Sequence, residues 1–203
     1  GPGNFADSTV QGNIAKSRIT VISPTSQTVK PRHLNRHIDY TNLKGNHDIK
    51  QHSLSTPLQM AISDDGTTLY TAVIGSNKIA VLPTNQLALD SYWDNQGQEF
   101  DPITIGRQHL NVEGGPSGLL LAEETQSLYV YTRFDNALVK IDLNNNQEAQ
   151  RLAMETTEPA DFIAGRFMLY DAKRSSSNGE SSCASCHIFG DTDHLSWNLG
   201  IPD

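Results

Sequence analysis

The sequence predicts a mainly β fold, built from antiparallel strand meanders and ended by a short α-helical segment. Three observations favour this fold: a stretch that recurs after 59 residues, apolar alternation with a period of two, and a helix-start signal at Thr157-Glu158-Pro159. With 203 residues, the chain has room for one ordinary domain or two small ones. We expect a β domain over residues 1–155 and a helical segment over residues 156–203.

The internal repeat is clearest between residues 57–70 and residues 116–129, which align without a gap at an offset of 59. A partial third copy lies upstream, because residues 17–22 match residues 77–82 at an offset of 60. A fixed period of this size indicates that one structural unit recurs along the chain. We therefore expect two full copies of the unit and part of another.

Each full copy contains signals for strand, turn and strand in that order. In the first copy, residues 58–62 alternate as a half-buried strand does, and Asp65-Gly66 indicates a tight turn. Residues 69–74 and 78–82 then read as two further strands, separated by turn-forming residues. The second copy has Glu124-Thr125 where the first has Asp65-Gly66, so we expect its turn to differ. Meanders repeated at this period are typical of propeller blades.

Residues 65–70 followed by residues 76–81 resemble the YVTN-type β-propeller repeat, whose pattern runs roughly Pro, Asp-Gly, Tyr-Val, Asn and Val-x-Val. The resemblance covers residues 17–154 and implies a partial β-propeller of antiparallel meander blades. A plain antiparallel meander or sandwich is the alternative. Because a propeller typically has 4–8 blades, we expect either a piece of a longer protein or self-association through the open sheet edges.

The two cysteines of the chain form the motif Cys183-Ala-Ser-Cys186-His187. Cys-x-x-Cys-His is the pattern of covalent c-type haem attachment. Residues i, i+3 and i+4 of a helical turn share a face, so both thiols can reach the porphyrin vinyl groups while the imidazole faces the iron. We expect one covalent haem c, with thioethers at Cys183 and Cys186 and with His187 as the proximal iron ligand.

Three other interpretations of the motif stay open. The cysteines could form a redox disulfide, although no βαβ unit is visible nearby. They could also bind zinc together with His187 and His194. Finally, they could be an inert reduced pair in a chain that never receives haem.

The residues before the motif strengthen the haem interpretation. Apolar side chains of the predicted helix could cover one haem face; they are Phe162, Ile163, Phe167, Met168 and Tyr170. Residues 165–171, the Ser/Gly-rich stretch 175–179 and residues 182–187 together resemble the first haem segment of the di-haem cytochrome c peroxidase and MauG family. The resemblance implies thioether and axial-ligand roles for the motif residues, and places Arg166 and Trp197 near the macrocycle. That family carries two haems, whereas this chain has one motif, so we expect residues 156–203 to be a truncated cytochrome c-like segment.

The sixth ligand of the iron is the least constrained part of the haem prediction. Met168 is one candidate, because it lies on the helix that precedes the motif. His194 is another, although it follows His187 closely. Four histidines in the β domain lack a helical metal-protease pattern, and we expect them in solvated loops, where one of them could still reach the iron; they are His33, His37, His47 and His52.

Composition narrows the possible functions. Fifteen basic and twenty-three acidic residues give a net charge of −8, which argues against a nucleic-acid binder. Unbroken apolar runs such as residues 119–122 are far shorter than the ~20 residues that cross a bilayer, so no membrane span is predicted. No basic-then-apolar leader begins the sequence, and we expect any secretory signal to have been removed.

Motif and charge together predict a c-type haem-binding electron-transfer protein. Because haem c is attached on the oxidising side of the bacterial inner membrane, the motif implies a periplasmic or extracellular location. The acidic charge suits docking to a basic redox partner protein. No catalytic residue is predicted. The alternatives are a peroxidase- or MauG-like haem enzyme and a propeller interaction module without haem.

Overall fold

The computed structural model describes residues 15–40, 46–88 and 108–195, and most of their regular structure is β. Ten strands lie within these ranges: β1 (Arg18–Ser23), β2 (Thr28–His33), β3 (Pro57–Ile62), β4 (Thr68–Val73), β5 (Lys78–Pro83), β6 (Gln108–Asn111), β7 (Pro116–Ala122), β8 (Ser127–Thr132), β9 (Ala137–Asp142) and β10 (Gln147–Ala153). The α-helices in the same ranges are α1 (His47–His52), α2 (Thr84–Ala88), α3 (Ala160–Tyr170) and α4 (Ala172–Ser175). None of these described helices has the length and apolar character needed to cross a membrane.

The strands form three antiparallel sheets in which neighbours in sequence are also neighbours in space. β1 pairs with β2 in the first sheet, β3 to β6 follow one another across the middle sheet, and β7 to β10 do so across the last sheet. The prediction of a mainly β chain of antiparallel meanders is confirmed. Within the described ranges, the sheets do not close into a ring.

The repeat seen in the sequence corresponds to a repeat of sheets. β3 and β7, the first strands of the two four-stranded sheets, begin 59 residues apart. The partial upstream copy is β1, which is equivalent to β5 and β9. Ser23 pairs with Thr28 between β1 and β2, and the equivalent pair 119 residues later is Asp142 with Gln147. The first sheet therefore contains the last two strands of the repeated unit.

The turn between the first two strands of the second copy differs from the equivalent turn of the first copy, as the sequence predicts. In the middle sheet, Gly66 has a φ of +72°, and its N–H donates to the Ser63 carbonyl at 2.8 Å. In the last sheet, a 3-10 turn at Glu123–Thr125 takes this place, and Gln126 has a φ of +46°. Because the second copy has no glycine here, the left-handed conformation moves one residue along the chain.

Two apolar clusters hold the three sheets face to face. The cluster between the middle and last sheets contains Ala72, Ile79, Leu110, Val112, Leu119, Leu128, Val130, Val139 and Ile141. The cluster on the other side of the middle sheet contains Ile19, Leu34, Leu54, Val73, Ala80 and Leu82. The middle sheet is thus covered on both faces, as alternation along β5 requires.

Gln59 joins the first strands of the middle and last sheets. Its side-chain Nε2 donates to the Leu119 carbonyl at 3.2 Å, and its Oε1 accepts from the Leu119 N–H at 3.2 Å. One amide side chain therefore satisfies both main-chain groups of a residue on β7, as a neighbouring strand would.

The outer faces of the first and last sheets have no neighbouring sheet among the described residues. Ile79 of the middle sheet is fully buried, whereas Leu138, its equivalent 59 residues later, is 39% exposed. The open face of the last sheet consists of Leu120, Tyr129, Tyr131, Leu138 and Leu152, which register pairs place on one side. On the opposite end, the register pair Ile22 and Val29 is exposed on the first sheet. Among the residues that the structure describes, two apolar sheet faces thus have no covering sheet.

Residues 156–195, the C-terminal segment, pack against the connections at one end of the strands of the middle and last sheets. Ile74 and Phe134 lie in the connections that follow β4 and β8, and they form a buried cluster with Tyr170 and Ala184. α3 begins at Ala160 with Pro159 as its N-cap, so Thr157 does not cap it as the sequence suggests.

Candidate functional site

The cysteine motif forms a single turn, as the spacing predicts. Its first three residues, Cys183–Ser185, are a 3-10 turn that follows the extended residue Ser182. The Ser185 N–H donates to the Ser182 carbonyl and the His187 N–H donates to the Cys183 carbonyl, both at 3.0 Å. These bonds bring the ends of the motif together within one turn.

The buried side chain of Ala184 anchors this turn to the protein interior. Its side chain is fully buried in the cluster with Phe134 and Tyr170, so the turn has one inward and one outward side. Cys183 and His187 are exposed and Cys186 is half-buried. Both cysteines are free in this conformation.

Asp193 lies beside the second cysteine. Its backbone N–H donates to the Cys186 carbonyl at 2.9 Å, which folds the chain after the motif back over it. Burial and the neighbouring Asp193 carboxylate raise the pKa of the Cys186 thiol above its usual value. No spacing pattern in the sequence would have revealed this contact.

The zinc interpretation is not supported by the arrangement of side chains. In residues 15–40, 46–88 and 108–195, no three His, Cys, Asp or Glu side chains are placed to hold a metal ion. His194, the fourth ligand that this interpretation needs, is exposed and has a φ of +55°.

The remaining haem-related candidates lie on or near α3. Met168 is 63% exposed, and it lies nearly half a turn around α3 from the buried face formed by Arg166 and Tyr170. Phe162 is also exposed, so the predicted apolar stripe does not lie on a single buried face. Arg166 is buried and forms an ion pair with Glu158. Trp197 lies outside the described residues.

Glu180, three residues before the motif, is buried and accepts hydrogen bonds from the N-terminal part of the chain. Its Oε1 accepts from the Ser17 N–H at 3.0 Å, from His33 Nε2 at 2.7 Å and from Asn35 Nδ2 at 2.9 Å. The Tyr40 hydroxyl donates to Oε2. The loop before the motif is therefore tied to the first sheet and to the residues that follow it.

In this cluster the pKa of the Glu180 carboxyl is lowered and the pKa of the Tyr40 hydroxyl is raised. Burial alone would raise the pKa of the Glu180 carboxyl, but hydrogen bonds from His33, Tyr40 and Asn35 outweigh it and hold this pKa below its usual value. Burial and the Glu180 carboxylate raise the pKa of the Tyr40 hydroxyl far above its usual value. The ionised carboxylate and the neutral phenol are thus the favoured forms in the folded protein.

The prediction of solvated loop histidines is wrong for two of the four residues. His33 is half-buried against Glu180. His37 is also half-buried, and its Nε2 lies 3.2 Å from the Ser53 hydroxyl oxygen. His47 and His52, on α1, are exposed. The local sequence has no pattern that reveals the contact between His33 and Glu180, because Glu180 lies 147 residues beyond His33.

A cavity of about 550 Å³ lies between α3 and the first residues of β3 and β7. Its apolar lining comes from Leu58, Ile74, Phe162, Leu169, Tyr170 and Phe189. The charged side chains in its wall are Arg133, Glu158 and Arg166. Ile74 and Tyr170 also belong to the cluster that buries Ala184, so the cavity adjoins the motif. A volume of this size is within the range of ligand pockets.

Comparison with known proteins gives only distant similarity. No protein-family model and no curated protein match the sequence. Solved structures that resemble the chain include the nidogen/laminin complex (13% identity, 70% of this chain and 41% of that chain, TM-score 0.44), Kuenenia stuttgartiensis hydrazine synthase (17%, 70% and 31%, 0.43) and dihydro-heme d1 dehydrogenase NirN (12%, 69% and 33%, 0.30).

These solved structures are β-propeller-like proteins. The chain spans between 31% and 41% of the length of the chains that it matches. TM-scores below 0.5 do not establish a shared fold, and the fold described above rests on the sheets themselves.

Proposed function

We propose that the chain is a c-type haem-binding electron-transfer protein with one covalently attached haem. The observation that carries the proposal is the single turn of the cysteine motif. Its Ala184 side chain is buried in the protein interior, while Cys183 and His187 are exposed to solvent. Two free thiols and one imidazole within five residues are the donor set that haem c requires.

Each motif residue has a separate role in this proposal. Cys183 and Cys186 would hold the porphyrin, as each S–H adds across one vinyl double bond, so that no oxidant is consumed. His187 would be the proximal iron ligand. The bound group supplies one-electron redox chemistry. Met168 stays the proposed sixth ligand, although in this conformation its side chain faces solvent on the far side of α3.

We propose further that the three sheets are blades of a partial β-propeller of the YVTN type. Asn77 and Asn136, which occupy the asparagine position of the two copies, both have left-handed backbones, with φ of +53° and +48°. A shared conformation at that position supports a common blade geometry. Residues 156–203 are then the first haem segment of a domain like that of the di-haem cytochrome c peroxidases.

The proposed location is the periplasm or the cell exterior, where haem c is attached in bacteria. The net charge of −8 supports docking to a basic redox partner protein, because opposite charges accelerate association. Such docking weakens as salt concentration rises.

Mass spectrometry tests haem attachment directly. The chain produced in a host with cytochrome c maturation should gain about 616 Da, the mass of one haem added without loss of atoms. Cys183→Ala with Cys186→Ala should abolish the covalent gain, whereas Ser185→Ala, the control within the motif, should keep it. A colourless wild-type product in which both thiols can still be alkylated would refute the proposal.

The open sheet faces predict head-to-tail self-association. We propose that the open face of the last sheet packs on the exposed Ile22–Val29 face of a second copy, because the middle and last sheets of one chain already pack in this way. Sedimentation velocity should detect dimers or larger species at tens of micromolar. Leu138→Glu should shift them toward monomer by placing a charge in the contact.

The control for this prediction places the same charge elsewhere. Asn85→Glu, at an exposed position of α2, should leave the association unchanged. A wild-type chain that stays monomeric at the highest concentration, with native β-sheet content, would contradict the prediction.

A further inference from the structure

The cavity beside the motif has an unequal set of charges. Arg133 and Arg166 contribute two positive charges to its wall, and Glu158 contributes one negative charge. Arg166 is already committed, because it forms an ion pair with Glu158 and donates to the Arg133 carbonyl at 3.2 Å. The cavity therefore offers one cationic group in excess.

That excess group is Arg133, at the start of the β8–β9 connection. Its side chain is exposed, and its positive charge contributes to lowering the pKa of the Glu158 carboxyl. Its backbone position is fixed, since the Arg133 N–H donates to the Gly115 carbonyl at 2.9 Å. An exposed guanidinium on a fixed backbone at the mouth of an apolar cavity is suited to bind a carboxylate, through paired charge-assisted hydrogen bonds.

The rim of the cavity carries an aromatic residue in a strained conformation. Phe189 has a φ of +54°, and its ring is 73% exposed two residues after His187. The Tyr170 hydroxyl accepts from the Phe189 N–H at 2.9 Å, which helps to hold this conformation. An aromatic residue is rarely held with positive φ, and such positions concentrate where ligands bind. A flat apolar ligand would bury this ring.

The chemistry of haem attachment leaves a role for a group of this kind. Porphyrin vinyl groups and porphyrin carboxylates lie on opposite edges of the macrocycle. The cysteines that hold the vinyl edge therefore cannot also bind the carboxylate edge. A protein group that binds the carboxylates therefore belongs to another element of the protein.

We propose that the cavity receives the carboxylate-bearing edge of the porphyrin and that Arg133 binds one of its carboxylates. This inference rests on the proposed function, because it concerns the same haem. It makes the last sheet part of the binding site, in addition to the C-terminal segment. Arg166 acts on this site indirectly, because it holds the Glu158 carboxylate in an ion pair.

The test uses non-covalent binding, so that it does not depend on attachment. In the Cys183→Ala/Cys186→Ala chain, ferric protoporphyrin IX and its dimethyl ester are titrated separately and followed by absorbance. Arg133→Gln in this background should weaken binding of the diacid about tenfold or more, as expected for loss of a hydrogen-bonded charge pair. Binding of the dimethyl ester should not change, because it has no carboxylates.

Two further variants sharpen the comparison. Arg133→Lys should recover part of the diacid affinity, because it restores the charge without the paired geometry. Arg174→Gln is the control: Arg174 is an exposed arginine of α4 that does not line the cavity. It should leave both affinities unchanged, and thermal unfolding of all variants should match the parent.

Several outcomes would overturn the inference. The Arg133→Gln variant could bind the diacid as tightly as its parent, or the parent could fail to bind the diacid. Competition by millimolar glutarate, a free dicarboxylic acid, would show a general carboxylate site instead of a porphyrin site. Failure of the proposed function looks different: wild-type chain would lack the mass gain while Arg133-dependent diacid binding persists.

Discussion

Replacing Glu180 by alanine is expected to lower the free energy of unfolding by about 3–5 kcal/mol, the usual cost of breaking a buried charged cluster. Four donors lose their acceptor in this variant, and all of them lie in the N-terminal part of the chain; they belong to Ser17, His33, Asn35 and Tyr40. Buried donors without partners are costly because they were desolvated on folding. Chemical denaturation followed by circular dichroism measures the loss.

A second glutamate provides the control for this prediction. Glu124→Ala removes an exposed carboxylate from the turn before β8 and should change the stability by no more than about 0.5 kcal/mol. A loss below 1 kcal/mol for Glu180→Ala would mean that the cluster contributes little, and would contradict its role in holding the loop before the motif.

The same carboxylate predicts a pH dependence. Because the pKa of Glu180 is lowered in the folded protein, its ionised form adds stability above its usual pKa of 4.5, and this stability is lost as the pH falls through that value toward the folded-state pKa. Glu180→Gln imitates the protonated acid. The difference in stability between wild type and Glu180→Gln should therefore narrow as the pH falls from 7 to 4. A difference that is constant with pH would falsify this assignment.

Replacing Phe134 by alanine is expected to cost about 3–5 kcal/mol, as for other buried aromatic side chains. Its ring is fully buried, with ring-centre distances of 4.8 Å to Phe167 and 5.6 Å to Tyr170. It also fills the space above Gly115, where an added Cβ would lie 2.6 Å from the ring. The variant should therefore loosen the packing between the last sheet and the C-terminal segment.

Two measurements separate this local effect from general instability. Phe162→Ala, which removes an exposed ring from α3, should cost less than about 1 kcal/mol and serves as the matched control. Limited proteolysis of Phe134→Ala should cut first within residues 156–195, while the sheets stay protected. Equal cleavage rates along the whole chain would argue against the junction.

The sequence is sufficient to predict the sheets because their signals are local. Alternation along residues 58–62 and the recurrence at 59 residues reflect which side chains face a neighbouring sheet, and each can be read within a few positions. Even the altered turn at Glu123–Thr125 follows from the loss of one glycine. The partial copy at residues 17–22 carries the same local signal.

The surroundings of the motif could not be predicted, because they depend on contacts between distant parts of the chain. Glu180 accepts from Ser17 across 163 positions, and no spacing rule connects such residues. The burial of His33 follows from that contact and not from its own neighbours. Asp193 shows the same limit on a shorter scale, since the fold of the chain after the motif brings it to Cys186.

The two bonds between Gln59 and Leu119 also govern how the sheets are aligned. If either strand slid along its axis by a single residue, the amide would face a different peptide unit and both bonds would break together. Apolar packing alone tolerates small sliding movements, since methyl groups have no preferred partner. This one side chain therefore sets how β3 and β7 are aligned along their strand axes, and with them the two adjacent sheets.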